Sequence, residues 1–146
     1  MNSNSDNPKV GKMFQTAVKE WFEKERGVPY NWEEPIPIGN PAKQHKFDLV
    51  ESTGLIVVEC KCYTWTEAGN VPSAKMGFIN EAAFYLSFLP EAIERNIVIR
   101  KSVHPRRKET LAEYYFRTYR HLLGKIRILE YDTDTKTMKL IGENPF

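Results

Sequence analysis

Apolar residues at Phe14, Ala17, Val18, Trp21 and Phe22 fall at i, i+3, i+4, i+7 and i+8, which predicts a helix over Val10–Glu25 with one buried stripe. Gly27 and Pro29 stop it. The period then shortens. Tyr30–Glu34 reads as a strand, followed by an irregular extended piece to Ile38, because prolines at 29, 35 and 37 exclude a central, fully hydrogen-bonded strand over that length. Gly39–Gln44 reads as a loop. Lys46–Val50 and Leu55–Lys61 read as a hairpin around Glu51–Gly54, which has turn chemistry. Within it, Leu55-Ile56-Val57-Val58 is the kind of run that fills a strand buried on both faces.

A polar linker, Tyr63–Val71, separates this hairpin from a second predicted helix, Ala74–Leu89, with Ser73 near its N-cap and Pro90 beyond its end. Its late part is apolar most of the way round, through Ala83, Phe84, Leu86, Phe88 and Leu89, so that end is expected to be buried. Asn96–Arg100 is a short buried strand. Glu109–Leu123 is a third helix, closed by Gly124, whose Tyr114, Phe116 and Tyr119 offer aromatic faces to a second subunit. Ile126–Tyr131 and Thr137–Ile141 form a hairpin around residues 132–136. The expected organisation is a disordered tail over 1–8 and a single α/β domain over 9–146.

Composition narrows the class without naming it. Among 146 residues, 41% are hydrophobic and 27% charged, ordinary values for a globular domain with a real core. No apolar run is long enough to span a bilayer, and Met1–Pro8 lacks a signal-peptide segment, so a cytoplasmic protein with no membrane contact is expected. Cys60 and Cys62 lie two apart on a strand, where they cannot easily bridge, and the three histidines are scattered, which disfavours a disulfide or a structural zinc site. There is no Gly-rich phosphate loop and no serine–histidine pairing of a hydrolase triad.

The candidate chemistry lies where the apolar run breaks into Glu59-Cys60-Lys61. Strand alternation puts Glu59 and Lys61 on one face, about 6–7 Å apart, with Cys60 and Cys62 turned the other way. The hairpin partner brings Asp48 to the same edge. Two carboxylates beside a backbone carbonyl make an oxygen-rich site suited to Mg²⁺, and a lysine next to them is placed to orient an attacking water or to offset charge. A strand-end ion pair is the plain rival for Glu59 and Lys61.

Asp48, eleven residues, then Glu59-Cys60-Lys61 resembles the PD-(D/E)XK nuclease signature of the restriction-endonuclease-like superfamily. The residue before Asp48 is Phe47 rather than proline, a departure many members share. The resemblance implies an αβββαβ core with a mixed central sheet flanked by helices, extended here by a C-terminal helix and β-hairpin. It also implies a Mg²⁺-dependent nuclease, with Mn²⁺ able to substitute. Asp48, Glu59 and the Cys60 backbone carbonyl would hold the metal, and Asp48, Glu59 and Lys61 would be the catalytic residues. The first helix of that family often carries a glutamate that completes the site. The matching position here is Gln15, at the edge of the buried stripe; Glu20 lies on the solvent side. Paired active sites in small nucleases make a homodimer the expected assembly.

The expected partner is DNA, with RNA still open. Arg95–Lys108 holds six Lys/Arg and no carboxylate, a composition that suits phosphate contacts. The candidate contacts are Lys43, Lys46, Lys75, Arg100, Lys101, Arg106, Arg107 and Lys108, with His45 and Asn80 also near the expected site. Trp65 either packs inward or offers a stacking surface to an unpaired base. The alternative to an endonuclease is a module that keeps the nuclease fold and binds nucleic acid, or assembles with a partner, without cutting.

Overall fold

The computed structural model describes residues 7–145. Helix α1, Pro8–Arg26, starts where Asn7 accepts the Lys9 N–H on its side-chain oxygen and Pro8 takes the first helical turn, where a missing N–H costs nothing. Asn7 and Pro8 therefore belong to the helix start and not to the expected tail; the rest of that tail lies outside the described residues. Phe14, Val18 and Phe22 are buried, as the stripe requires, while Gln15 is half-buried and Glu20 exposed.

Six strands follow in spatial order β1 to β6: β1 Tyr30–Ile38, β2 Lys43–Glu51, β3 Ile56–Lys61, β4 Glu94–Arg100, β5 Arg127–Asp132 and β6 Thr137–Gly142. The pairs β1–β2, β2–β3 and β5–β6 are antiparallel, and β3–β4 and β4–β5 are parallel. The prolines predicted to break β1 do not break it. Pro35 pairs with Lys46 and Pro37 with Gln44, and β1 is the sheet edge, so their missing N–H groups can face outward. The loop expected over Gly39–Gln44 is correspondingly shorter, since β2 already begins at Lys43. The β2–β3 turn is held by the Glu51 carboxylate, which accepts the N–H of Thr53 at 3.0 Å and of Leu55 at 3.2 Å, and Gly54 supplies the left-handed residue at φ 81°.

Two crossovers carry the parallel strands. Helix α2, Ser73–Leu86, joins β3 to β4, and helix α3, Leu111–Tyr119, lies between β4 and β5. Right-handed crossovers that step in one direction put both helices on the same face. That face packs Phe47, Val57, Ile97 and Ile99 against Met76, Ile79 and Leu86 of α2 and Leu111 and Tyr115 of α3. Helix α1 covers the other face, over Leu49, Val58, Val98 and Leu129. The result is an α/β domain with a six-stranded mixed sheet flanked by helices. Among the described residues, no helix is long and apolar enough to cross a membrane.

Both helices of the shared face differ from expectation. Helix α2 ends at Leu86, not Leu89, and Pro72 rather than Ser73 occupies its N-cap. Its late part is not wholly buried: Leu86 and Leu89 point inward, but Phe84 is 63% and Phe88 48% exposed, because a helix on one face of a sheet keeps an outer side whatever its composition. Helix α3 starts at Leu111 behind a capping box. Glu113 donates its N–H to the Thr110 hydroxyl, and Thr110 donates its N–H to the Glu113 carboxylate. A 3-10 turn, Arg120–Leu122, completes the segment expected as one helix. Its aromatics make contacts within the chain. Tyr115 is buried with its hydroxyl donating to Asn80 Oδ1 at 2.9 Å, Tyr114 lies edge-on to Trp65, and Phe116 fills the space beside Gly142.

Ile97 is fully buried at the centre of the sheet, whereas Phe84 is mostly in water. Ile97→Ala should cost about 2–5 kcal/mol of stability by lost burial and cavity formation, and Phe84→Ala should stay within about 0.5 kcal/mol. Urea midpoints of the two variants check this; equal losses would contradict the assignment of the core.

Candidate active site

The β2–β3 ladder contains two pairs, Leu49 with Val58 and Val50 with Val57. Towards Asp48 the strands part. Phe47 and Leu49 are two residues apart, yet they pack on opposite faces of the sheet, so the β2 backbone turns over at Asp48. Side chains take over from the ladder there. The Asp48 N–H donates to Glu59 Oε2 at 2.7 Å, and the Cys60 N–H donates to Asp48 Oδ2 at 2.8 Å. From helix α1, the Gln15 amide donates to the Asp48 carbonyl at 3.1 Å. Strand β3 stays in register with β4 as far as Lys61 opposite Ile99, so its end remains anchored where β2 departs.

The two carboxyl groups thus sit together with little water. Glu59 is 5% exposed. Its burial, and then the neighbouring Asp48 charge, push its pKa up to about 8. Burial also raises Asp48, against the Cys60 N–H and the Lys61 ammonium, which favour its charged form. The pair holds a proton between its members more readily than two separate charges. Lys61 is half-buried beside them and offsets both.

A cleft of about 330 Å³ opens onto this point, lined by Gly11, Lys12, Gln15, Asp48, Cys60, Cys62 and Tyr63. The cysteines, expected only as packing residues, are free thiols that also line it, and burial raises the pKa of both. The oxygen donors a cation would meet are the Asp48 and Glu59 carboxyls and the Cys60 carbonyl. That carbonyl leaves the strand on the same side as the Cys60 N–H, where the ladder to β2 has ended. Among the described residues there is no cluster of three or more His, Cys, Asp and Glu side chains arranged for a metal ion.

The expected nucleic-acid contacts are spread over several elements, and some of them are engaged within the chain. Lys43 and Lys46 are exposed on the edge hairpin, with His45 between them stacked flat on Tyr85 at 3.8 Å. Arg95 is buried, donating to the Ile93 carbonyl, at the end of β4 away from the site. Arg100 reaches the Cys62 thiol, and Lys101 lies 3.7 Å from Asp132. Arg106 donates to the Ala68 carbonyl at 2.8 Å, Arg107 lies over the Trp65 ring, and Lys108 is exposed. His104 organises that corner. Its Nδ1 accepts the N–H groups of Arg106 and Arg107, so the proton is on Nε2, which donates to the Gly69 carbonyl at 2.8 Å. Gly69 sits at φ 81°, and a Cβ there would lie 2.9 Å from that same Nε2. Trp65 packs inward, 5% exposed. Asn80, expected to face the site, is taken up by Tyr115.

Three nearby residues escaped the sequence reading. Lys12 is one turn before Gln15 on the same helix face, Tyr63 follows Lys61 by two, and Phe78 stands on α2 beside Lys75. The spacing of Lys12 and Tyr63 from residues already singled out was the available signal.

A carboxyl with a raised folded pKa binds a proton that the unfolded chain has released. Stability from Glu59 is therefore full below its ordinary value of 4.5 and is lost as pH rises through about 8. His45 acts in the opposite sense below its ordinary 6.5, since burial lowers its pKa. Comparison with Glu59→Gln isolates the carboxyl. The melting temperature of the variant relative to wild type should climb from about pH 5 to about pH 8 in metal-free buffer; a difference that stays flat with pH would show that Glu59 titrates normally.

No family model, curated protein or solved structure matches this chain, so a functional reading rests on the geometry of the site itself.

Proposed function

We propose that this protein is a metal-dependent nuclease of the PD-(D/E)XK type that hydrolyses phosphodiester bonds in DNA. The observation that carries the reading is the Asp48–Glu59 pair, held where β2 leaves β3 by the Asp48 N–H on the Glu59 carboxylate and the Cys60 N–H on the Asp48 carboxylate, with Lys61 alongside. The pair lies at the end of a rigid central strand and beside a cleft, which suits a site that must hold an extended polymer.

The donor chemistry fits a divalent cation. Two carboxyls whose ionisation burial opposes, Glu59 the more so for the Asp48 charge beside it, are short of positive charge, and Mg²⁺ takes one or two carboxylates and fills its remaining positions with water and phosphate oxygens. Asp48, Glu59 and the Cys60 carbonyl would hold it, and Mn²⁺ would substitute. When bound, the ion supplies an acidified water and neutralises charge on the phosphate. Lys61 orients the attacking water and offsets charge growing on the phosphodiester. Gln15 acts as a positioning residue: by donating to the Asp48 carbonyl it fixes the backbone from which that carboxylate projects. The same uncharged Gln15 favours a second reading, a module that binds nucleic acid without cutting it.

Wild type should cut DNA from a panel of plasmid, linear, branched and single-stranded substrates with Mg²⁺ and not with EDTA, and Asp48→Ala and Glu59→Ala should be inactive. Lys61→Ala should lower kcat by roughly 10²–10⁴-fold. Mg²⁺ should also raise the melting temperature of wild type and of Lys61→Ala, but not of Asp48→Ala. A wild type that neither cuts nor gains thermal stability with Mg²⁺ or Mn²⁺ would sink the nuclease reading. Binding without cutting would favour the second.

A further inference from the structure

We propose that Tyr63 and Phe78, with Lys75 between them, form a base-stacking platform beside the Asp48–Glu59 cleft, and that the substrate strand is therefore unpaired DNA there. This rests on the reading of that cleft as a nuclease site. Tyr63 lines the cleft together with Asp48 and Cys60. Phe78 stands on the second turn of α2 and is 47% exposed. Lys75 holds its ammonium 5.3 Å from the Tyr63 ring centroid and 5.7 Å from that of Phe78.

A single exposed phenylalanine means little, because folded surfaces carry many apolar atoms. The grouping is what points to a ligand. Two aromatic rings and an ammonium next to paired carboxyls offer a π-face for a base and a charge for its phosphate, the two elements of single-strand recognition. The rings are 6.5 Å apart and tilted by 42°, so they leave no parallel slot for a base between them. The base lies on the open face of Phe78. A duplex hides its base faces in the stack, whereas a flap, a junction arm or a single strand presents them. The loop that carries Tyr63 is pinned further along by the His104–Gly69 bond, so the platform is set before the strand arrives.

Fluorescence anisotropy in EDTA, where no cutting occurs, tests this with three probes of equal length: oligothymidine, an abasic strand carrying the same phosphates, and a duplex. Wild type should bind oligothymidine about tenfold more tightly than the abasic strand. Phe78→Ala should erase that preference, and Phe78→Trp should keep it; thermal melts confirm that both fold. Equal affinity of wild type for the two strands, a preference that survives in Phe78→Ala, or no binding to either strand would overturn the platform, the last giving the aromatic face to a protein contact. Base preference without Mg²⁺-dependent cutting would support the platform and refute the nuclease reading. Cutting without base preference would do the reverse.

Discussion

Everything at the site follows from one exchange: where the β2–β3 ladder stops, carboxylate side chains replace carbonyls as the acceptors of backbone N–H groups. Strand β3 runs on in register with β4, so its N–H at Cys60 would otherwise face a gap. A buried N–H without an acceptor costs about as much as a lost hydrogen bond; the Asp48 carboxylate removes that cost at Cys60, and the Glu59 carboxylate removes it at Asp48. The consequence is electrostatic. Two carboxyls are drawn so close together in a dry place that they cannot both ionise readily, and the deficit of positive charge is met only in part by Lys61.

The rest of the fold holds this point still and leaves it accessible. Because both crossover helices lie on one face, the other face carries α1 alone among the described residues, and its first turns border the end of β3. Gln15 ties α1 to the Asp48 backbone, so the helix acts as a brace as well as a cover. The opposite end of the sheet is closed by a separate network. Glu94 accepts from Arg26 and Arg127, and Asn96 also accepts from Arg127. Charge at that end is largely paired within the chain, while at the Asp48 end Lys61 stands beside the carboxyl pair.

That Asp48 and Glu59 meet was legible in the sequence because the signals are local. The switch from Ile56-Val57-Val58 to Glu59-Cys60-Lys61 marks where charge enters the buried strand, and one short turn brings Asp48 opposite. Gln15 was legible from helix phase. What the sequence hid depends on tertiary position. Tolerance of Pro35 and Pro37 requires knowing that β1 is an edge. The Arg95–Lys108 run looked like one basic patch because its residues are close in sequence. A whole strand lies between Arg95 and the later arginines, however, and Arg106 is engaged with the chain's own carbonyl. The late part of helix α2 looked buried because composition does not say which side a neighbour covers.

The polar segment after β3 has a divided role that its composition does not suggest. Trp65, the more obvious stacking residue, is packed between His104 and Tyr114 and serves as an anchor. Its neighbour two positions earlier, Tyr63, is left at the cleft. The anchor is strengthened by the His104 ring, whose Nδ1 collects two backbone N–H groups and whose Nε2 holds Gly69. A loop tied at its middle and at its far end has little freedom left at its start. Arg106 and Arg107, two of the cations expected as ligand contacts, thus touch this loop as well, one through the Ala68 carbonyl and one over the Trp65 ring.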